Sequence, residues 1–108
     1  METNSLDYKL PKRLKKDEIK EVFESGEFKR GNMITLVYKK GEGKVAFTSK
    51  KENLKAHDRN RIKRILREIF RKNRHLFKGF DVVLIGNSKI LNTHINEVEK
   101  ELRELWEK

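Results

Sequence analysis

The clearest hydrophobic period in the chain lies between Ala56 and Arg71, where Ile62, Ile65, Leu66, Ile69 and Phe70 recur at i, i+3, i+4, i+7 and i+8. That spacing gathers them into one stripe on an α-helix and predicts a helix with the stripe turned to a core. On the same wheel Asn60, Arg64, Arg67 and Arg71 fall opposite the stripe, Lys63 lies on its shoulder, and Glu68 is the one nearby acid. Upstream, Asp17 as N-cap, Glu18 in the first turn and Gly26 as the stop predict a short helix over 17–25 with Ile19, Val22 and Phe23 on its apolar face.

Other stretches carry strand patterns. From Phe28 to Tyr38 the chain reads as one strand region in which Met33 to Tyr38 is rich in β-formers, Gly41-Glu42-Gly43 reads as a turn, and Lys44 to Thr48 reads as a returning strand, so a β-hairpin is expected. Alternation sends Ile34, Leu36 and Tyr38 to one face, assigned to the core, and Met33, Thr35 and Val37 to the other, assigned to a solvent-facing cleft wall. Phe80 to Ile85 is nearly continuous apolar sequence, the pattern of a central strand covered on both faces or of a parallel neighbour. A strand, the basic helix and this strand in sequence make a βαβ unit. Thr93 reads as the N-cap of a last helix in which Ile95, Val98, Leu102, Leu105 and Trp106 recur at helical spacing. Its outer face is expected to carry Glu97, Glu99, Glu101, Glu104 and Glu107, away from any polyanion. Residues 1–8 show no periodicity and are expected to be disordered; Pro11 argues against helix in the basic segment that follows, Lys9 to Lys16.

Composition bounds the chemistry. A chain of 108 residues makes one domain, 1–108, and 41% charged residues against 35% hydrophobic ones imply a modest core under a heavily charged surface. The absence of cysteine excludes disulfides and thiolate chemistry. His57, His75 and His94 lack the spacing of a metal pair, and no Gly-rich phosphate loop or nucleophile elbow is present, so neither a catalytic site nor a metal site is expected in the protein. No apolar run approaches the roughly 18 residues that cross a bilayer. The N-terminus is not a signal peptide, so a soluble, cytoplasmic protein with no membrane partner is expected.

Charge changes the picture most. Between Lys50 and Lys78 twelve Lys or Arg stand against Glu52, Asp58 and Glu68, which accounts for nine of the ten net positive charges of the chain. Like charges one turn apart, such as Arg64 with Arg67 and Arg67 with Arg71, repel by a few tenths of a kcal/mol in an isolated helix. A polyanion that completes the structure would offset that cost. The concentration of Arg is the footprint of nucleic-acid binding, because the guanidinium fork suits phosphates and stacks on bases. A DNA reader laying this helix in a major groove is the weaker reading, since the Arg-rich face runs the whole helix and no dimerisation heptad is visible.

The run Ala56-x-x-Arg59-Asn60-Arg61-Ile62-Lys63-Arg64-x-x-Arg67-Glu68-x-Phe70-Arg71 resembles the signature helix of the bacterial ribonuclease P protein family, and the order of elements on either side is similar over most of the chain. The resemblance implies an α+β two-layer sandwich of αβββαβα type with a left-handed βαβ crossover, resembling a ribosomal-protein-like domain. It also implies a protein subunit that assists a catalytic RNA in removing the 5′ leader of precursor tRNA. The RNA would carry out the hydrolysis with Mg²⁺ that it mainly holds itself. Partners would be the ribonuclease P RNA and precursor tRNA, with the protein a monomer present in one copy per RNA.

By the same resemblance Lys50, Lys51, Arg59, Asn60, Arg61, Lys63, Arg64, Arg67 and Arg71 would contact the catalytic RNA. Phe23, Ile19, Thr35 and Val37 would line the leader cleft, and Lys12, Arg13, Lys15 and Lys16 would add accessory positive charge. The family often has an aromatic residue where this chain has Ile19, and usually a glycine in the connection 52–58, where this chain has none and carries Asp58. Asn53 and Asp58 are both candidate caps for the basic helix. The alternative function is a non-catalytic RNA- or ribosome-binding module of the same fold.

Overall fold

The structure is a computed structural model that describes residues 13–107. The expectations for residues 1–8, Pro11 and Lys12 lie outside the described residues. Helix α1 (Lys16–Ser25) is followed by strands β1 (Glu27–Arg30), β2 (Ile34–Lys40) and β3 (Val45–Ser49), then helix α2 (Ala56–Lys72), strand β4 (Phe80–Gly86) and helix α3 (Ile95–Glu107). Short 3-10 turns flank β4 at Arg74–Phe77 and Ser88–Asn92. The order is αβββαβα, as the family resemblance implied.

The four strands lie in the order β1-β2-β4-β3. Strand β1 pairs antiparallel with β2, β2 antiparallel with β4, and β3 parallel with β4. The expected hairpin between β2 and β3 is therefore absent: β4 sits between them. The reason is visible in β4 itself. Val82 and Leu84 are buried on one face and Val83 on the other, so this strand gains most from the centre of the sheet. The Gly41–Lys44 link then spans the start of β4, where Asp81 Oδ1 accepts hydrogen bonds from the amides of Glu42 and Lys44, both at 3.0 Å. The true hairpin joins β1 to β2 through Gly31-Asn32, closed by the Gly31 amide donating to the Ile34 carbonyl at 2.7 Å. The parallel pairing of β3 with β4 across α2 realises the βαβ unit.

Helices α2 and α3 cover one face of the sheet. Ile62, Leu66, Ile69 and Phe70 from α2 and Val98, Leu102 and Leu105 from α3 are buried against Ile34, Leu36, Val45, Val82 and Leu84. Gly86 permits the close approach of α2, since a Cβ there would lie 2.8 Å from Ile62 Cγ2. Trp106 closes the far end of this core, with ring centroids 4.7 Å from Phe77, 5.0 Å from Tyr38 and 5.2 Å from Phe80. Met33, assigned to the opposite face, is buried in this core too, because it precedes the regular part of β2.

Helix α1 lies on the second face, where Leu14 and Val22 pack with Val37 and Val83. Val37 was expected on a solvent-facing wall. Its side is right, but α1 covers it completely, and its exposure is 0%.

Caps also differ from expectation. Lys15, not Asp17, precedes α1, and its amide donates to Glu18 Oε1 at 2.8 Å. Lys55 precedes α2, so neither Asn53 nor Asp58 takes the cap position. His94 precedes α3 and its Nδ1 accepts from the Asn96 amide at 3.1 Å, while Thr93 donates its hydroxyl to the Lys89 carbonyl at 2.7 Å. Imidazole can serve as the first-turn acceptor that Thr93 was expected to supply.

Two acids assigned to the outer face of α3 turn inward. Glu101 Oε2 accepts from the amides of Met33 and Ile34 at 2.7 and 2.8 Å, which satisfies the start of β2. Glu99 accepts from the buried Asn73 side chain at 3.0 Å, and Asn73 also donates to the Ile69 carbonyl at 2.7 Å, so the end of α2 is tied to α3. Glu97, Glu104 and Glu107 are exposed, as expected.

Candidate nucleic-acid interface

On α2 the residues opposite the buried stripe stand out in solvent: Arg59, Asn60, Arg61, Arg64, Arg67 and Arg71 are exposed and Lys63 is half-buried on the shoulder. The rotation read from the sequence holds except at Ile65. That side chain is half-buried, at the edge where α2 meets α3, and borders a shallow groove of about 280 Å³ with Arg64, Arg67, Glu68, Arg71 and Ile95.

The cations of this face differ in how far they are already engaged. Arg71 donates to Glu68 at 2.9 Å. That hydrogen bond, with the charges of Arg71 and Lys72, holds the Glu68 carboxyl below its ordinary pKa. Arg59 donates to the Leu54 carbonyl at 2.6 Å and so fixes the connection ahead of the helix. Among the described residues Arg61, Lys63, Arg64 and Arg67 have no acid partner. Two lysines of the sheet contrast with them by pairing with acids of α1: Lys44 with Glu18 at 2.6 Å and Lys39 with Glu21 at 2.8 Å.

The glycine-free connection from Glu52 to Asp58 takes a defined path. The Leu54 amide donates to the Glu52 carbonyl at 2.8 Å, Glu52 Oε1 accepts from the Ser88 amide at 3.3 Å, and Leu54 packs on the core. Asp58 lies in the first turn of α2, 3.2 Å from His57 Nε2, where a carboxylate suits the positive end of the helix dipole. The Lys50 amide donates to the Gly86 carbonyl at 2.7 Å, which holds Lys50 at the C-terminal ends of β3 and β4.

The second face of the sheet supplies the cleft. Between α1 and the strands lies an open groove of about 530 Å³ lined by Ile19 and Phe23 of α1, Ala46 and Thr48 of β3, Val83 and Ile85 of β4, and Lys50 and Lys51 at its mouth. Ile19 and Phe23 stand where the sequence placed them. Thr35 lines a neighbouring groove, and Val37 lies beneath α1 with no surface to offer. Arg13, Lys15 and Lys16 are exposed at the approach to α1, with Arg13 bridged to Val45.

Sequence reasoning missed Ala46, Thr48 and Ile85 because the assumed hairpin hid which strand neighbours which. It missed Phe28 and Arg30 because β1 was not separated from β2, although Gly31-Asn32 is a hairpin signal.

A sheet-floored groove lined in part by Lys50 and Lys51 on one face, and on the other face a helix whose Arg61, Arg64 and Arg67 have no acid partner among the described residues, offer surfaces for a polyanion. A family model described as Ribonuclease P matches residues 9–108. The chain belongs to the ribonuclease P family. Among its relatives, the ribonuclease P protein component of Pseudoalteromonas atlantica is 43% identical over 60 residues, which is 56% of this chain and 50% of that protein. That of Baumannia cicadellinicola is 36% identical over 77 residues, 70% of this chain and 64% of that protein. The chain thus spans about half the length of the first of these relatives and somewhat more of the second.

In three dimensions the family fold is reproduced. The ribonuclease P protein from Thermotoga maritima superposes with a TM-score of 0.78 at 27% identity, covering 88% of this chain and 94% of that one. The Staphylococcus aureus protein superposes with a TM-score of 0.75 at 15% identity over 89% of this chain and 92% of that one, a likeness of fold alone. No described helix is long and apolar enough to cross a membrane.

Proposed function

We propose that this protein is the protein subunit of a bacterial ribonuclease P: it binds the catalytic RNA and the 5′ leader of precursor tRNA and assists endonucleolytic removal of that leader. The observation that carries this reading is the row Arg61, Lys63, Arg64 and Arg67, which has no acid partner among the described residues, together with a groove on the other face of the sheet that Lys50 and Lys51 help to line. The α2 row, with Arg59, Asn60 and Arg71, contacts the RNA partner. The groove holds a single strand by apolar and stacking contact with Phe23 and Ile19.

Counter-ion release from neutralised phosphates supplies the affinity and makes it steeply salt-dependent. Among the described residues no three His, Asp or Glu side chains come together as a candidate metal site. In this reading Mg²⁺ belongs mainly to the RNA and the cleavage step is the RNA's. The protein positions the substrate, screens phosphates and lowers the Mg²⁺ needed. It acts as a single copy per RNA, in the cytoplasm.

The test is cleavage of a precursor tRNA at low Mg²⁺ by a bacterial ribonuclease P RNA with and without this protein. Leader removal that requires both components is the expected result. Binding of the RNA without any gain in rate would instead make the protein a non-catalytic RNA-binding module.

A further inference from the structure

Phe28 is the exposed large hydrophobic residue among the described residues, with 46% of its surface open on the edge strand β1. Its ring leans on Phe23 of α1, with centroids 5.9 Å apart and planes tilted by 39°, so one side is backed by protein and the other faces solvent. It shares its side of the sheet with Thr35, Val37 and Ile85, because β1 pairs with β2 at Phe28–Val37 and Arg30–Thr35.

Beyond Phe28 lies a second groove of about 310 Å³, lined by Phe28, Arg30, Thr35, Lys50, Ile85 and Asn87 among others. It meets the α1 groove at Lys50 and Ile85, which border both. The two grooves together make one bent track across the sheet, from Phe23 past Lys50 to Phe28 and Arg30. Among the described residues neither Arg30 nor Lys50 has an acid partner.

We propose that Phe28 is a base-stacking platform on a β1 extension of the leader track, with Arg30 and Lys50 taking the phosphates on either side of the stacked base. An aromatic ring held from behind and flanked by free cations is the arrangement that binds single-stranded nucleic acid without reading its sequence. A purely apolar partner would leave Arg30 and Lys50 desolvated and unpaired, which charge complementarity disfavours. The assignment rests on the leader-binding reading above and deepens it: the track accepts leader nucleotides beyond those that the α1 groove can hold.

The experiment compares affinity for precursor tRNAs with a short and a long leader, using the complex of this protein with a ribonuclease P RNA. Wild type should bind the long-leader substrate more tightly. Phe28→Ala should reduce that gain by roughly tenfold, the usual range for one lost stack. Phe28→Leu, which keeps an apolar contact with Phe23, should lose nearly as much, and Phe28→Trp should retain the gain. A fluorescent base analogue in the distal leader should be quenched by wild type and by Phe28→Trp, but not by Phe28→Leu.

A full gain with Phe28→Leu would overturn the stacking role. Equal loss for short and long leaders, or a change only in self-association of the protein, would also overturn it and would make Phe28 a packing or protein-contact residue. If wild type itself shows no gain from a longer leader, the leader-binding reading fails first, an outcome distinct from failure at Phe28 alone.

Discussion

On the face of the sheet beneath α2 and α3, Leu36, Val82 and Leu84 are wholly buried and meet Ile62, Leu66 and Ile69. On the opposite face α1 buries Val37 and Val83 as completely, yet Thr35, Ala46, Thr48 and Ile85 remain half-covered. The strands are the same, and neighbouring residues along them serve different ends. Two helices close the first face with a continuous apolar stripe, whereas the narrow stripe of one short helix, α1, leaves a groove on the second. In the proposed reading, stability and binding are thus separated by a single step of strand alternation or a quarter turn of helix. Substitutions at adjacent positions should therefore separate the two properties.

The largest effect belongs to the closed face. Leu66→Ala should destabilise the protein by about 2–5 kcal/mol, since the removed atoms are fully buried between α2 and the sheet. Ile65→Ala, one position away, should cost markedly less because Ile65 is half-exposed at the α3 edge. Urea unfolding of both variants checks this, and equal losses would mean that α2 sits rotated toward α3. Next in size is Glu101→Ala, which leaves the Met33 and Ile34 amides without their acceptor and should cost about 1–3 kcal/mol. Glu101→Gln keeps one acceptor oxygen and should fall between it and wild type in the same unfolding series.

Smaller for stability, and diagnostic for binding, are Arg64→Ala and Arg67→Ala. Both side chains project from the exposed side of α2 without an acid partner among the described residues, so unfolding should shift by no more than about 0.5 kcal/mol. Each should lower the slope of log affinity for ribonuclease P RNA against log salt by about one. Arg71→Ala should lower it less, because Arg71 already engages Glu68. An Arg64→Ala variant that unfolds would move that residue from the open surface to the core.

How much of this was readable beforehand follows the range of the signals. The period of α2 placed both its buried stripe and its cationic face, and missed only at Ile65, where the deciding neighbour is α3, distant in sequence. Alternation put Ile34 and Leu36 in the core and Thr35 on the groove side without any knowledge of pairing. Pairing was what failed. The turn Gly41-Glu42-Gly43 has hairpin composition, but its partner is Asp81 at the start of a strand that arrives nearly forty residues later. No local pattern shows that β4 inserts there, although its nearly continuous apolar run fitted a central strand. Val37 was misread because how far α1 reaches over the sheet is a tertiary fact, whereas Phe28 was missed because the Gly31-Asn32 signal that separates β1 from β2 went unread. The inward turn of Glu99 and Glu101 was hidden because an acid on a helix looks the same whether it faces water or a strand's free amides.

The smallest predicted effect tests the tie that holds α1 over the open face. Lys44 donates to Glu18 at 2.6 Å and the Lys15 amide adds a second hydrogen bond, so the Glu18 carboxyl titrates below its ordinary value, while Glu18 in turn raises the pKa of Lys44. For Glu18 the folded value lies below the unfolded one. Its contribution is therefore complete above the ordinary carboxylate range and is lost as pH falls through the lowered value. For Lys44 the sign is opposite: the contribution is complete below the ordinary lysine value and is lost as pH rises through the raised one. Between these limits the pair should give a flat profile. Wild type should exceed Glu18→Gln by a small constant margin at neutral pH, and the margin should close in acid as Glu18 takes up its proton. Thermal unfolding of both proteins from neutral to strongly acid pH measures it. A margin that persists in acid would assign the benefit to the hydrogen bond from the Lys15 amide, which glutamine can still accept poorly, and not to charge. Because the pair joins α1 to the turn before β3 and takes no part in the α2–α3 core, its loss should loosen the roof of the groove while the closed face of the sheet stays intact.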